Sequence, residues 1–422
     1  MYICLNLILN IKSLQTINKL KILNDPIYGF ITIPNSMIFD LIEHRYFQRL
    51  RRISQMGLSY LVYPGAHHTR FQHALGCMHL MQKTVNVLRF KGVAISEDEQ
   101  NALYIAILLH DIGHGPFSHA MEHSIVNGVS HEHISMLFMQ KLNEEFNGDL
   151  TLAIEIFRGK YKRQFMCQLI SSQIDMDRAD YLKRDSFYTG VAEGNINSER
   201  LITMLNVKDD CLVVENKGIY SVEKFLIARR LMYWQVYLHK TGVAAEQLLI
   251  RVLKRAKELT RDGAKLTASK PLLYFLKNDI TMEHFNAEAL ELFSKLDDYD
   301  IVSAMKEWQY EDDFVLKNLC SMIINRDLLK CKLKKKPVKK EVLIKHRDAL
   351  IEKYNISKAE ADYFVFSGEV SNQAFTEKKQ RIKILQKNGK IEDIVKASDQ
   401  LNIKALSKSV TKYFICYPKE KL

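Results

Sequence analysis

Long segments with an apolar residue at every third or fourth position dominate the chain and predict a mainly helical protein. Only seven prolines and seventeen glycines interrupt these segments. The first predicted helix begins at Asn35-Ser36 and runs through "MIFDLIEHRYFQRLRRI". A later helix, over about 97–110, follows the N-cap candidate Ser96. The other helices are predicted over about 71–90, 132–146, 161–184 in pieces, and 222–260. The run "CLVVENKGIYSV" instead predicts two short strands around a turn.

The pattern changes after about residue 330. "CKLKKKPVKKEV", "DYFVFSG", "RIKIL" and "KYFICYP" are short β-like runs between helical or polar pieces. We therefore predict a mainly α fold: a helical body over residues 21–330 and a smaller α+β C-terminal lobe over residues 331–422. Residues 1–20 are interpreted as a possible N-terminal extension.

Composition narrows the class of protein. The chain has 422 residues, of which 47% are apolar and 26% charged, as in an ordinary globular protein. Its seven cysteines are scattered without CxxC spacing, which favours a reducing compartment. The apolar N-terminal stretch is too short to span a bilayer, so we expect a cytoplasmic protein without a membrane partner. A net charge of +12 suits polyanions such as nucleotides or nucleic acid, without choosing between them.

Histidines are concentrated in one part of the chain. Ten of the fourteen lie between His67 and His133, and "LLHDIGHGPFSHAMEH" alone contains four. Ionisable side chains at the end of the apolar helix "AILLHDIG" are costly to bury without a partner. A divalent metal is the usual partner for adjacent histidine and aspartate ligands.

The spacing of these residues predicts a metal site. His110 and Asp111 are consecutive, so they point about 100° apart on a regular helix and can share an ion only near a helix end. Gly113 and Gly115-Pro116 supply that end. With His73 from the preceding helix and Asp177 from a later one, the predicted ligands are His73, His110, Asp111 and Asp177. They would hold one divalent ion (Fe, Mn, Zn, Ni or Mg) inside a helical bundle.

These residues carry a resemblance to a known family. The order H…HD…D resembles the HD-domain phosphohydrolases. Four longer motifs, "YPGAHHTRFQHALG", "LLHDIGHGPFSHAME", "IDMDRADYLKRDSFYTG" and "YWQVYLHKTG", are similar to its deoxynucleoside triphosphate triphosphohydrolase branch, some members of which also carry a sterile-alpha-motif domain. The similarity runs from about residue 25 to 330. We expect no sterile-alpha-motif domain before Asp25, because the preceding segment is too short.

The resemblance implies metal-dependent hydrolysis of a deoxynucleoside triphosphate (dNTP) to deoxynucleoside and tripolyphosphate. The implied catalytic residues are His114, His119, His131 and Glu122. His119 is the candidate for protonating the leaving 5′-oxygen, and Glu122 for orienting a histidine. The implied substrate contacts are Gln55, Arg70, Arg178, Tyr181, Asp185, Arg229 and Tyr237, with Tyr181 and Asp185 against the sugar.

The family also implies partners other than the substrate. Lys217, His239, Arg326 and Lys330 match segments that bind a regulatory nucleotide, although Glu215 departs from the family pattern. The resemblance further implies a homo-oligomer, either a dimer or a tetramer.

Two alternatives stay open at this stage. The first is another HD-domain phosphohydrolase or phosphodiesterase that acts on a different nucleotide. The second, less favoured, is a nucleic-acid-binding protein with an accessory hydrolase site, suggested by the lysine run at 330–340. The same run is also typical of a solvated edge strand, in which lysine and proline prevent aggregation. We interpret Arg49, Arg51 and Arg52 as a basic helix face.

Overall fold

The computed structural model describes residues 21–122, 124–126, 128–375, 381–400 and 403–419, with the side chain of His119 left out. The predicted extension at residues 1–20 lies outside these ranges. The helices are α1 Ser36–Glu43, α2 Arg45–Gln48, α3 Arg70–Phe90, α4 Glu97–Leu109, α5 Ser118–Glu122, α6 His131–Glu145, α7 Thr151–Phe157, α8 Gln164–Ile170, α9 Met176–Thr189, α10 Ser198–Thr203, α11 Ile219–Met232, α12 Lys240–Arg261, α13 Lys270–Lys277, α14 Ala287–Phe293, α15 Asp298–Trp308, α16 Phe314–Ile324, α17 Lys340–Tyr354, α18 Lys358–Phe364, α19 Ile394–Ala397 and α20 Ile403–Leu406. The strands are β1 Ile22–Asp25, β2 Gly29–Thr32, β3 Leu205–Lys208, β4 Cys211–Glu215, β5 Lys330–Lys334, β6 Phe366–Asn372, β7 Lys383–Leu385, β8 Ile391–Asp393 and β9 Val410–Tyr417.

Helix α3 lies at the centre of the helical body and packs against α4 and α9. It is buried around most of its circumference, as expected of a helix with neighbours on several sides. Gly76 permits the close approach of α9, because a Cβ atom there would lie 2.0 Å from Asp180 Oδ1. The mainly α fold is confirmed, and α3, α4, α6, α8 and α9 follow the predicted pattern.

The first predicted helix is interrupted, and part of its polar face is buried. His44 has an extended backbone and ends α1, and its Nδ1 then accepts the Tyr46 N–H at the start of α2. Arg49 is fully buried and donates to the carbonyl oxygens of Ile112 (2.8 Å) and Leu296 (3.2 Å). The basic-face interpretation is therefore wrong for Arg49, whose guanidinium satisfies backbone groups of two other segments.

Two further predictions for the middle of the chain are corrected. The helix predicted over 222–260 is divided into α11 and α12 by a π-helical turn at Tyr233–Tyr237. The strand β4 pairs with the upstream strand β3 rather than with "GIYSV", which begins α11. The β3–β4 turn explains this pairing, because Asp209 and Asp210 both have positive φ, as in the two-residue turns that favour hairpins.

The C-terminal residues form the predicted short strands. The order β5-β9-β6 makes an antiparallel sheet with β5 at its edge, which confirms the edge-strand interpretation for residues 330–334 of the lysine run. Lys330, Lys332 and Lys334 are exposed along it. Strand β7 instead joins the helical body, where it pairs in parallel with β4. The domain boundary near residue 330 stays a prediction. No helix within the described ranges has the length and apolar character needed to cross a membrane.

Candidate active site

The four predicted metal ligands meet at one point, which we call the metal cluster (His73, His110, Asp111 and Asp177). His73 Nε2 lies 3.2 Å from Asp177 Oδ1 and 3.7 Å from Asp111 Oδ2. His110 Nε2 lies 3.4 Å from Asp111 Oδ1 and 3.6 Å from Asp177 Oδ1. Two imidazole nitrogens and two carboxylates from three chain segments therefore surround one small space.

The histidines of the metal cluster are oriented by their other ring nitrogens. His73 Nδ1 lies 2.7 Å from Asp180 Oδ2, and His110 Nδ1 lies 2.7 Å from the carbonyl oxygen of Ile107. In both rings this arrangement leaves Nε2 facing the cluster, as in histidines that bind metals. His110 Nε2 is buried and has no aligned hydrogen bond to any described residue. These residues fit a divalent ion, which would supply the missing partner.

The charges of the cluster also suit a cation. Burial alone would raise the pKa values of Asp111 and Asp177, but neighbouring histidines lower both well below the usual range. His110 and Arg70 act on Asp111, and His110 and His73 act on Asp177. Both carboxylates are therefore ionised at neutral pH, as metal ligands must be.

A second layer of ion pairs supports His73. Arg184 donates to both oxygens of Asp180 at 2.9 and 3.0 Å and to Asp25 Oδ2 at 2.7 Å, and all three residues are buried. Sequence analysis missed Asp25, Asp180 and Arg184. The spacing of Asp180 and Arg184, four residues apart on α9, was the available signal, since it places them on one helical face.

The backbone around His110 is held by tight packing after the end of α4. Ser135 Oγ donates to the His110 carbonyl at 2.8 Å and accepts the Gly113 N–H at 2.9 Å. A Cβ atom on Gly113 would lie 2.2 Å from the Ser135 nitrogen, so only glycine permits this approach of α6. The predicted helix break is thus also a packing contact that fixes two of the predicted ligands, His110 and Asp111.

Two further histidines form a stack beside the metal cluster. The rings of His114 and His131 lie 3.9 Å apart, and His114 Nε2 is 3.3 Å from Asp111 Oδ1. His131 Nδ1 lies 2.9 Å from Glu122 Oε1. Burial and the charge of Arg70 lower the pKa of His114 well below its usual value, so this ring is neutral. The predicted acid His119 belongs to α5, but its side chain lies outside the described part of the structure.

One cavity of about 570 Å³ connects the cluster with most of the predicted substrate residues. Its lining includes Gln55, Arg70, Asp111, His114, His131, Asp177, Arg178, Tyr181, Asp185 and Tyr237. Arg70 donates to Asp111 Oδ2 at 2.6 Å, and Arg178 pairs with Asp175. Arg229 is not part of this lining; it is buried and donates to Gln173 at 3.3 Å.

Asp185 organises the end of the cavity where we expect the sugar. Tyr237 donates its hydroxyl to Asp185 Oδ2 at 2.7 Å, and His68 Nε2 lies 2.6 Å from Asp185 Oδ1. The Tyr181 and Tyr237 rings meet edge to face at 6.1 Å. His68, which is buried and stacked on Tyr188, is a further residue that sequence analysis missed.

An aspartate outside the cavity positions two segments of its wall. Asp298 accepts the N–H of Ser54 at 2.8 Å and of Phe117 at 3.2 Å. Burial raises the pKa of Asp298 to about 6. The predicted motifs contained no signal for this residue.

The predicted regulatory residues lie on different elements. Lys217 is exposed at a turn before α11, and His239 is the N-cap of α12. Arg326 donates to the carbonyl oxygen of Leu61 at 2.8 Å, and Lys330 begins β5. Among the described residues, no hydrogen bond joins Lys217 to any of the other three. Their role in binding a regulatory nucleotide stays a prediction.

Comparison with family models gives the class of protein that this fold and site define. Residues 70–185 match the HD domain, and residues 196–270 match the HD associated region. The first match begins on α3 and ends on α9, so it contains the whole metal cluster.

Similar proteins narrow the class further. A phosphohydrolase from Bacteroides thetaiotaomicron, known from its crystal structure, is 51% identical, with a TM-score of 0.92 and coverage of 95% of this chain and 100% of that chain. The Bacillus subtilis protein YwfO is 36% identical over 320 residues, which is 73% of this chain and 71% of YwfO. The chain belongs to the HD-domain phosphohydrolase family and is a hydrolase of that type.

A third similar protein carries a more specific name. The Dictyostelium discoideum deoxynucleoside triphosphate triphosphohydrolase SAMHD1 homolog is 31% identical over 272 residues, which is 60% of this chain. The match spans 52% of the Dictyostelium protein, or about half of its length.

Proposed function

We propose that this protein hydrolyses dNTPs to deoxynucleosides and tripolyphosphate. The observation that carries the proposal is that one cavity is lined by both carboxylates of the metal cluster, by two arginines and by the pair Asp185–Tyr237. A nucleoside triphosphate requires these three features together: a centre at the reacting phosphorus, cations along the phosphates and polar groups at the sugar. The name of the Dictyostelium relative supports the same substrate class.

In the proposed reaction one bond to phosphorus forms and one breaks. The oxygen of water forms a bond to the α-phosphorus, the bond from that phosphorus to O5′ breaks, and a proton reaches the 5′-oxygen of the deoxynucleoside. A divalent ion held by the metal cluster would offset phosphate charge and lower the pKa of the attacking water. Arg70 and Arg178 neutralise phosphate oxygens, the second through a guanidinium that can contact two oxygens at once.

The remaining residues position groups and move protons. Glu122 fixes the His131 ring through Nδ1, leaving Nε2 available to a phosphate oxygen or to water. Neutral His114 can accept a proton or donate a hydrogen bond without adding charge beside Arg70. His119 remains the proposed donor to the 5′-oxygen. Its replacement by alanine should remove most turnover while the metal content is kept.

A second part of the proposal concerns the sugar, and it can be tested separately from the reaction. Asp185 already accepts from Tyr237 and His68, and its remaining lone pairs suit a 3′-hydroxyl. Tyr181 and Tyr237 close the space beside it, so that a 2′-hydroxyl would be crowded. We expect dATP to be hydrolysed at least about tenfold faster than ATP, a difference typical of one misplaced polar group.

Anion-exchange analysis of products, combined with ¹⁸O-labelled water, tests the proposal. We expect tripolyphosphate as the first inorganic product, with the label on tripolyphosphate and none on the deoxynucleoside. Orthophosphate or pyrophosphate as the first product would contradict attack at the α-phosphorus. Equal rates with ATP and dATP would contradict the sugar assignment.

The same assay includes the predicted partners. Each dNTP is tested alone and with a second dNTP, and acceleration by the second nucleotide would support the proposed regulatory role of Lys217, His239, Arg326 and Lys330.

Light scattering with and without dNTP measures the proposed dimer or tetramer. A monomer under all conditions would contradict that part of the proposal.

A further inference from the structure

A carboxylate in the same cavity has no partner. Gly242, Glu246 and Leu249 line the cavity from α12, and their spacing of four and three residues places them on one face of that helix. Among the described residues, no hydrogen-bond donor or cation pairs with the Glu246 side chain. Burial raises the pKa of Glu246, and no neighbouring charge opposes that effect.

Such a carboxylate requires an explanation. Glu246 is half-buried in the cavity wall, where water can still reach it. A ligand that displaced this water would leave the carboxylate without hydrogen bonds or a counter-charge, which costs free energy unless the ligand supplies the partner. Since Glu246 faces the cavity, that partner is expected to come from the bound molecule. Apolar side chains line the wall nearby, including Leu238, Leu249 and Leu58, and they suit a flat ring.

The chemistry of a dNTP limits which of its groups can meet Glu246. Phosphate oxygens donate no hydrogen bond and repel a carboxylate. The 3′-hydroxyl has Asp185 as its proposed acceptor at the sugar end. The donors that remain are on the base.

The bases differ in what they offer a carboxylate. Guanine presents two adjacent donors, N1–H and the 2-amino group, which match the two oxygens of one carboxylate. Adenine and cytosine present one amino group next to an acceptor nitrogen. Thymine presents a single N3–H between two carbonyl oxygens, which a carboxylate repels.

We infer that Glu246 reads the nucleobase and makes the enzyme prefer guanine, with thymine the least favoured base. The inference rests on the proposed dNTP hydrolysis and adds the base preference of that same site. A two-point contact of this kind discriminates by about tenfold or more. Glu246 is a specificity-determining residue and takes no part in bond breaking.

Base-by-base kinetics with a conservative variant test the inference. We would measure kcat/KM for dGTP, dATP, dCTP, dTTP and deoxyinosine triphosphate, which keeps N1–H but lacks the 2-amino group. We expect dGTP to exceed the deoxyinosine nucleotide, and dTTP to be poorest. In Glu246→Gln, the amide offers one acceptor and one donor, which match adenine, so the dGTP to dATP ratio should fall about tenfold or more.

The control is Glu155→Gln, because Glu155 is exposed on α7, away from the cavity. This variant should keep the wild-type order of bases. Equal loss for all dNTPs in Glu246→Gln would overturn the inference, because Glu246 would then serve the sugar, a hydrated cation or the fold. A wild-type enzyme without base preference would overturn it as well.

A binding measurement separates this inference from the proposed reaction. Failure to hydrolyse any dNTP would refute the proposed function, whereas calorimetric binding of deoxyguanosine, deoxyadenosine and thymidine requires no hydrolysis. We expect the wild-type protein to bind deoxyguanosine tightest and Glu246→Gln to lose that preference. Absence of binding by all three nucleosides, or an unchanged order in the variant, would overturn the base assignment.

Discussion

Helices α9 and α12 both line the cavity, but the aspartates of α9 and Glu246 of α12 have different surroundings. On α9 and at its N-cap, every aspartate has a partner: Asp175 pairs with Arg178, Asp177 with two histidines, Asp180 with His73 and Arg184, and Asp185 with His68 and Tyr237. On α12, Glu246 lines the same cavity without a partner among the described residues.

The difference separates two tasks within one site. The α9 carboxylates are fixed before any ligand arrives, which suits their proposed task of holding a metal and a sugar in a defined geometry. Glu246 is therefore available to the base, which is the part of the molecule that differs from one dNTP to another. The following changes test that contrast, in order of decreasing expected effect.

The largest effect is expected when the metal cluster loses a carboxylate. Asp177→Ala removes one of the two proposed anionic ligands, so the purified variant should hold almost no divalent metal and should lose nearly all hydrolysis. Elemental analysis and product assays measure both quantities. The exposed Asp149→Ala is the matched control and should behave as wild type. Full metal occupancy in Asp177→Ala would show that the ligands are assigned wrongly.

The second effect concerns the support behind His73. Asp180→Asn places an amide N–H₂ group against the donors of His73 and Arg184, and leaves Arg184 with Asp25 as its only carboxylate partner among the described residues. Breaking a buried network of this kind should lower the free energy of unfolding by about 3–5 kcal/mol. Metal affinity should fall about 10–100-fold. Urea titration of the metal-free protein and metal titration measure the two effects, with Asp149→Asn as control. If neither the free energy of unfolding nor the metal affinity changed, α9 would be no more preorganised than α12.

The third effect is a dependence of stability on pH. The pKa of Asp298 is about 6 in the folded protein, against an ordinary value of 3.8, so the folded state binds this proton more tightly than the unfolded state. The stabilisation is complete below about pH 4 and is lost as the pH rises through about 6, with a change of about 3 kcal/mol. The difference in unfolding free energy between wild type and Asp298→Asn should follow this curve. A constant difference between pH 4 and 7 would contradict it.

The smallest effect has the opposite sign. In the absence of nucleotide, Glu246→Gln removes an unpaired, partly buried charge and should raise the free energy of unfolding at pH 7.5 by at most about 1 kcal/mol. Urea titration beside Glu155→Gln, which should show no change, measures it. A clear loss of stability would mean that Glu246 has a favourable partner in the free protein, and the contrast between the two helices would fail.

Sequence predicted the parts of the site that lie next to each other in motifs. The metal cluster follows from a histidine and an aspartate at the end of an apolar helix, because few other arrangements make such residues tolerable. The supporting residues were missed for a physical reason: Asp25, His68 and Asp298 act through contacts between segments far apart in the chain. Among them, Asp298 bonds to Ser54 across 244 positions.

The errors in the predicted fold have a similar origin. Periodicity predicted one helix over 222–260, but it does not register the π-helical turn at Tyr233–Tyr237, which keeps the helical pattern while it redirects the chain. Arg49 was assigned with Arg51 and Arg52 to a basic helix face, because arginine is usually exposed. Its burial depends on carbonyl groups of Ile112 and Leu296, which only the folded chain brings near.

The parallel pairing of β7 with β4 has a consequence for how the protein is made. Val214 pairs with Ile384, 170 positions later in the chain (384 − 214), so the sheet of the helical body is finished only after the chain has left the ribosome as far as β7. Until then, β4 presents an open edge to other chains. Contacts of such long range also form slowly once the chain is free. Newly made protein therefore passes through a period in which the edge of β4 is unpaired. A shortened chain that ends before β7 would keep this unpaired edge and would remain prone to aggregation.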